Sequence, residues 1–264
     1  IEYLLTDELG DTGKKIHTAR SRNDQVMTDL KLYYREEIIH ILDLSMILIN
    51  HLISVAEAHK NTPMPGYTHM QVAMPSSMGL WFSAYGESLT EDLLMVKAAF
   101  EYNNQNPLGS AAGYGSGFPI DRQFTARLLE FQSLHVNSVN AQFARGKSEW
   151  FLLNGISALA STLSKFSMDL VLYSGQNYGF FKPHDHFTTG SSIMPHKKNP
   201  DVVELIRARC NLLLSGPYRL QQLTTNLPSG YHRDFQLLKE ISFPAIAQIK
   251  ECLIMTDLIL ENLE

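Results

Sequence analysis

Features that mark several common classes of protein are scarce in this sequence. It has only two cysteines, Cys210 and Cys252, which lie inside apolar helical patterns and lack the spacing of metal ligands. Two such thiols exclude a disulfide scaffold and favour a reducing compartment, so we expect a cytoplasmic protein. Basic residues are not in excess, since 22 Lys and Arg stand against 27 Asp and Glu, for a net charge of −5. This charge balance argues against nucleic acid as a partner.

Long uninterrupted apolar runs are also missing. The most apolar segment, Ile38 to Ala58, is broken by polar residues that include His40, Asp43 and His51. They argue against a membrane span and for a helix buried among other helices. The first residues show no secretory signal pattern, and we expect no contact with a membrane.

The sequence is instead rich in helical periodicity. Apolar residues recur every three or four positions in long segments that are separated by Gly- and Pro-rich connectors. We predict long helices at about 24–59, from 76 to about 100, at about 139–173, from 200 through 213 with a kink at Pro217, and from about 242 to the end. A shorter helix should follow the N-cap Asp121 and run through Leu129. Since no strand alternation or internal repeat is convincing, the predicted fold class is all-α.

The first helical pattern would extend over roughly 50 Å, several times the usual length, and a helix of that length needs neighbours. Several of the five patterns are apolar on more than one face, which predicts a long up-and-down five-helix bundle that associates with other copies of the chain. The chain starts at Ile1 rather than Met and ends at Glu264 inside an apolar pattern. We therefore expect further residues at both ends.

The segment from Gly190 to Asp201, GSSIMPHKKNPD, carries the strongest chemical signal. Its small residues let backbone N–H groups approach a ligand, and Lys197 and Lys198 supply positive charge before a helix opens. Such a loop suits an anion, because N–H groups can hold carboxylate oxygens and an ammonium stabilises charge that develops in a transition state. A solvated lysine pair on a turn is the alternative, but it leaves the rest of the string unexplained.

Two connectors hold further candidates. Ser21, Arg22 and Asn23 precede the first long helix. A helix cap at Asn23 or at the next residue is one explanation, but a cap does not need a guanidinium, which can grip a carboxylate through two hydrogen bonds. In the second connector, Thr68 and His69 lie in a segment that must turn sharply. A single histidine is more often structural, yet an imidazole in such a turn suits proton transfer.

These strings resemble those of the fumarase/aspartase superfamily, whose members eliminate fumarate from succinyl-type substrates. The string SRND at positions 21–24 is similar to that of argininosuccinate lyases, whereas fumarases and aspartases have Ser-Ser-Asn-Asp there. The resemblance implies that residues 1–264 are the central helical domain, without the flanking N- and C-terminal domains of the family. It also implies that four copies assemble into a twenty-helix tetramer core of 222 symmetry.

The resemblance assigns catalytic roles to the loop and its surroundings. Ser191 is the implied base, and because an unassisted serine is a poor base, its alkoxide needs support from N–H groups, a helix N-terminus and Lys197. Lys197 and Asn199 are implied to hold the dianionic aci-carboxylate. His69, paired with Glu204, is implied to assist proton movement toward the leaving nitrogen.

The segment before the last helix is also implied to bind substrate. Tyr231, Gln236 and Lys239 correspond to substrate-contacting positions of argininosuccinate lyases, although a charge-mixed linker is the alternative. Substrate contacts are implied as well for Ser21, Arg22, Asn23 and Thr68. One departure is the string ARGK at 144–147, where many relatives have Asp beside the arginine.

The implied reaction is reversible β-elimination of argininosuccinate to arginine and fumarate, in arginine biosynthesis. A carbon-nitrogen lyase of this kind needs no metal or organic cofactor, and its expected partners are its small-molecule substrate and its own copies. Two alternatives stay open. Adenylosuccinate lyases share the loop but differ at positions 21–24, and crystallin-type relatives are non-catalytic structural proteins. The presence of Ser191, His69 and Lys197 argues against the latter.

Overall fold

The computed structural model describes residues 2–263, and helices dominate it. The helices of this range are α1 (Glu2–Leu9), α2 (Asp11–Lys14), α3 (Arg22–Ala58), α4 (Met78–Asn103), α5 (Arg122–Leu128), α6 (Ser138–Phe143), α7 (Lys147–Tyr173), α8 (Asp201–Leu213), α9 (Gly216–Thr224) and α10 (Leu238–Glu261). The predicted all-α class is confirmed.

Strands are few and short in the described range. The strands are β1 (Pro63–Thr68), β2 (Gln71–Ser77), β3 (Gln105–Asn106), β4 (Ser133–Leu134), β5 (Thr189–Gly190) and β6 (Lys198–Asn199). β1 and β2 form an antiparallel hairpin, β3 pairs with β4 in parallel, and β5 pairs with β6 in antiparallel fashion. The hairpin was not predicted because its prolines suppress the strand signal. A two-stranded sheet tolerates them, since both of its strands are edges.

The long predicted helices exist, with three differences in detail. The third pattern is split into α6 and α7, because Gly146 adopts a left-handed φ of 90° that a helix cannot continue through. The fourth pattern breaks after α8, and Pro217 lies in the first turn of α9 rather than at a kink. The fifth begins at Leu238, earlier than predicted, and includes Pro244 in its interior. Position 264, where that pattern was predicted to end, lies outside the described residues.

The long helices pack around α7. α7 contacts α4, α8 and α10, while α3 packs against α4 and α10. Their inward faces form one hydrophobic core, in which Tyr34, Leu52, Phe82, Leu159 and Ile249 are almost completely buried. With 27 residues, α7 extends over about 40 Å and gives the bundle its length.

The helix α3 has two faces of different environment. It is the one helix of residues 2–263 that is long and apolar enough to cross a membrane by length and composition. One face contributes Tyr34, Leu48 and Leu52 to the core, as expected of a core helix. The other leaves Ile47 and Ile53 about half exposed, at 54% and 52%. This outer face is available for contact with another surface.

Candidate active site

The start of α3 is built around two reciprocal hydrogen bonds. The Ser21 hydroxyl accepts from the Asn23 N–H at 3.2 Å, and the Asp24 carboxylate accepts from the Ser21 N–H at 2.8 Å. Asp24 is fully buried, and its second oxygen accepts from the N–H groups of Gly109 and Ala111 at 2.9 Å each. The cap is therefore shared by Ser21 and Asp24. Asp24 also ties the Gly-rich segment 107–117 to the helix.

This cap leaves the neighbouring side chains free for a ligand. Within the described chain, the side chains of Arg22 and Asn23 make no hydrogen bond or ion pair. Both line a cavity of about 190 Å³, which brings together five of the predicted substrate-binding residues, Arg22, Asn23, Tyr231, Gln236 and Lys239. Ser21 lies beside them as the helix cap.

The cavity is strongly cationic. Its remaining lining residues are Val26, Arg145 and Arg233, so four cations and no carboxylate surround it. The Tyr231 hydroxyl accepts from the Gln236 amide at 2.7 Å, which orients both side chains toward each other. A site of this composition suits an anionic group. Arg145 was not predicted, because nothing in the spacing of the sequence places it at the start of α3.

The hairpin β1–β2 presents the predicted histidine at its tip. His69 and Met70 form the two-residue turn, with left-handed φ values of 51° and 60°. Such angles are unfavourable for residues other than glycine, but this turn type matches the twist of a hairpin. Thr68 pairs with Gln71 across the turn, and the Thr68 and His69 side chains are exposed.

The hairpin is anchored near its tip at the C-terminal end of α7. The Tyr67 ring lies 6.1 Å from the ring of Tyr173, the last residue of α7, and 5.6 Å from that of Tyr178. This aromatic packing fixes where His69 lies along the bundle.

The Gly190–Asp201 segment forms a flap. The pairing of β5 with β6 closes its base, and inside it the Ser191 hydroxyl accepts from the Met194 N–H at 3.2 Å. Lys198 forms an ion pair with Asp185, whereas Lys197 is exposed. Lys197 also lines a cavity of about 420 Å³ against Ser174, just beyond the end of α7. The flap therefore lies at the same end of α7 as the hairpin.

The two groups of predicted residues lie at opposite ends of the bundle. The substrate cavity lies at the N-terminal end of α7, where Arg145 precedes the helix, whereas Lys197 lies at its C-terminal end. The length of α7 separates them by about 40 Å. A single chain therefore does not bring Ser191 or His69 to the cavity of Asn23.

Glu204 lies on α8, one turn after the flap. Its carboxylate is 3.8 Å from the guanidinium of Arg207. Within residues 2–263 of one chain, Glu204 and His69 share neither a hydrogen bond nor an ion pair, so the implied pairing is not formed inside a single chain.

In the same range, no cluster of three or more His, Cys, Asp or Glu side chains could hold a metal ion.

A buried histidine, His135, directly follows β4. His135 is 3% exposed, and neither ring nitrogen has a hydrogen-bond partner among the described residues. Burial, and in second place the charges of Lys31, Arg122 and Lys147, lower the pKa of His135 to about 4. His135 is therefore neutral in the folded protein at pH 7.

This histidine makes folding sensitive to acid. Because its folded pKa lies below the unfolded value of 6.5, the unfolded chain binds more protons and stability falls as pH decreases from 6.5 to about 4. The expected loss from this one group is about 3 kcal/mol. Urea titrations at pH 7 and pH 4 should show a smaller loss for His135→Leu than for the parent protein. Equal losses in the two proteins would contradict this role.

Comparison with known proteins identifies the family to which the chain belongs. Residues 1–213 match the model of a family described as lyase, and the match includes the cap, the hairpin and the flap. The chain belongs to this lyase family.

Two curated relatives extend this lyase assignment to the whole chain. Over 264 residues, 100% of the chain, it is 52% identical to argininosuccinate lyase of Phocaeicola vulgatus and 53% identical to argininosuccinate lyase of Bacteroides fragilis. The chain spans 59% of the length of each relative. Among solved structures, EDDS lyase in complex with formate covers the whole chain at a TM-score of 0.90 and 25% identity, over 52% of its own length. The predicted superfamily and the helical-bundle fold are confirmed.

Proposed function

We propose that this chain carries the catalytic core of an argininosuccinate lyase, which cleaves argininosuccinate reversibly to arginine and fumarate. The observation that carries the proposal is the cationic cavity in which Arg22, Asn23, Tyr231, Gln236 and Lys239 meet. Two argininosuccinate lyases more than 50% identical along the entire chain support it. Adenylosuccinate lyase and a crystallin-type structural protein are not favoured by these relatives.

The chemistry begins with a carbon-bound proton beside a carboxylate, which is barely acidic. The Ser191 alkoxide removes this proton and becomes the hydroxyl, and the electron pair of the broken C–H bond moves into the carboxylate to form a dianionic aci-carboxylate. Lys197 and Asn199 hold this dianion. Because its charge exceeds that of the substrate carboxylate from which it forms, the stabilisation acts mainly on the activation barrier. The flap on which these residues lie supplies N–H groups and the start of α8 for the same purpose.

The second half of the reaction breaks the carbon–nitrogen bond. The aci-carboxylate electrons form the double bond of fumarate, and the pair of the broken bond leaves on the guanidino nitrogen. That nitrogen takes a proton with the help of His69, whose exposed position at the hairpin tip lets it reach a substrate. Thr68, beside it, bonds a substrate carboxylate. Glu204 of another copy pairs with His69 and orients its ring.

Assembly from several copies follows from the bundle's length. The groups that hold substrate and the groups that move protons lie about 40 Å apart in one chain, so a complete site needs another copy. The outer apolar face of α3, with Ile47 and Ile53, is the surface for that association. We propose a homotetramer whose core consists of this central domain, acting in the cytoplasm.

A side-by-side assay of fumarate release from argininosuccinate and adenylosuccinate tests this function in the full-length protein. Both substrates release fumarate, so the leaving-group side must distinguish them. A purine nucleotide would leave the polar groups of the cavity unpaired, and we expect kcat/KM for argininosuccinate to be higher by roughly 10⁴. A preference for adenylosuccinate would overturn the assignment. Inactivity on both substrates would favour the structural-protein alternative.

A further inference from the structure

Arg145 is a buried arginine whose guanidinium makes no hydrogen bond within the part of the chain that the structure describes. It is 7% exposed, and its Nη2 is enclosed with no hydrogen-bond partner among the described residues. Its guanidinium lies over two aromatic rings, 5.5 Å from the centre of the Tyr231 ring and 5.2 Å from that of Phe235. Ring faces hold a guanidinium in place but do not accept its N–H donors along the fork. The protein therefore positions this guanidinium firmly, and within residues 2–263 the Nη2 donors stay unused.

The carboxylate whose charge acts on Arg145 is already engaged. Glu149 accepts from the Gly146 N–H at 3.1 Å and from the Tyr34 hydroxyl at 3.2 Å, and it forms no ion pair with Arg145 among residues 2–263. Burial lowers the pKa of Arg145, and Glu149 opposes this shift. A buried guanidinium whose N–H donors are unpaired is stabilised most by an acceptor that arrives with a ligand.

The cavity of about 190 Å³, one of two that Arg145 lines, offers its guanidinium no carboxylate. Its other cations are Arg22, Arg233 and Lys239, and no carboxylate is among its lining residues. A ligand that fills it must therefore bring negative charge. A planar carboxylate fits a guanidinium fork through two parallel hydrogen bonds.

We propose that Arg145 is a substrate-binding residue that holds the α-carboxylate of the arginine half of the substrate. This inference rests on the proposed function. The succinyl carboxylates belong to the flap with Ser191 and Lys197, which lies at the other end of α7. The carboxylate left for the Arg145 cavity is that of the leaving group. Arg145 thus helps to determine which leaving group the enzyme accepts.

The test compares arginine with agmatine, which lacks only the α-carboxylate, by calorimetric binding to the full-length protein. The parent protein should bind arginine more tightly than agmatine. Arg145→Met should weaken arginine binding by about 10- to 100-fold and leave agmatine binding nearly unchanged, since the lost bonds involve a charged partner. Arg145→Lys keeps the charge but not the fork, and should weaken arginine binding by a smaller factor with agmatine again unaffected.

Arg127 provides the matched control, because its guanidinium also lies over a ring, 6.0 Å from the centre of Phe124, but it does not line this cavity. Arg127→Met should leave the preference for arginine unchanged. If Arg145→Met does not fold, the binding measurements on Arg145→Lys test the inference instead. An unchanged preference for arginine over agmatine in a folded variant overturns the inference. Because binding is measured without turnover, a protein that shows this dependence on Arg145 but does not cleave argininosuccinate would reject only the proposed reaction.

Discussion

Ser191→Ala should remove nearly all turnover of argininosuccinate, by a factor of roughly 10³ or more, while substrate binding stays within about tenfold. The reason is that a base acts on the barrier and contributes little to ground-state affinity. Among the described residues, the Ser191 hydroxyl bonds only the Met194 N–H, so removing it costs the flap a single exposed hydrogen bond. Stability of the whole protein should therefore be unaffected.

Single-turnover rates and equilibrium binding of argininosuccinate separate these two effects. Ser192→Ala is the matched control, because Ser192 is the exposed neighbour on the same flap and makes no side-chain hydrogen bond in the described structure. It should keep most of the activity. If Ser191→Ala retained more than a few per cent of the turnover, another residue would have to take the proton. The flap would then only close the site.

The helices could be predicted because the core repeats along them. Apolar residues at three- and four-residue spacing mark the buried faces of α3, α4 and α7, and the ends of α3 and α4 were predicted within a few residues. The errors in the predicted elements fall where the backbone conformation of one or two residues determines the local structure. Gly146 interrupts the third pattern with its left-handed φ, and the turn at His69 and Met70 creates a hairpin in a proline-containing segment. Neither conformation has a periodic signal.

The site could be predicted only as separate pieces of chain. The strings at Ser21, His69 and Ser191 supplied candidate residues, since each string combines turn-forming and polar or charged residues. Their positions in space depend on how α7 separates the two ends, which no local pattern encodes. Arg145 illustrates the limit. Its sequence neighbourhood marked only a departure from the family pattern, whereas packing against Tyr231 and Phe235 brings it to the cavity.

Asn23→Ala should lower kcat/KM for argininosuccinate by roughly 10³ without destabilising the fold, since a buried polar contact to substrate is lost and its substrate partner is left unpaired. The helix cap does not depend on this side chain, because Ser21 and Asp24 make the capping bonds. Thermal unfolding and steady-state kinetics on the same preparation check both parts. Asn140→Ala, which removes an amide elsewhere that makes no side-chain hydrogen bond in the described structure, is the control and should retain activity. A large fall in melting temperature for Asn23→Ala would instead give this residue a structural role.

Co-expression of the Ser191→Ala and Asn23→Ala chains tests most directly whether each active site is built from more than one copy. Each variant alone lacks one end of the site. If Asn23 comes from one copy and Ser191 from another, random mixing leaves both residues intact in about one site in four, and about a quarter of the parent activity should return. If both residues acted within a single chain, every site would carry one defect. Activity no higher than that of the two variants alone would therefore contradict assembly of the site between copies.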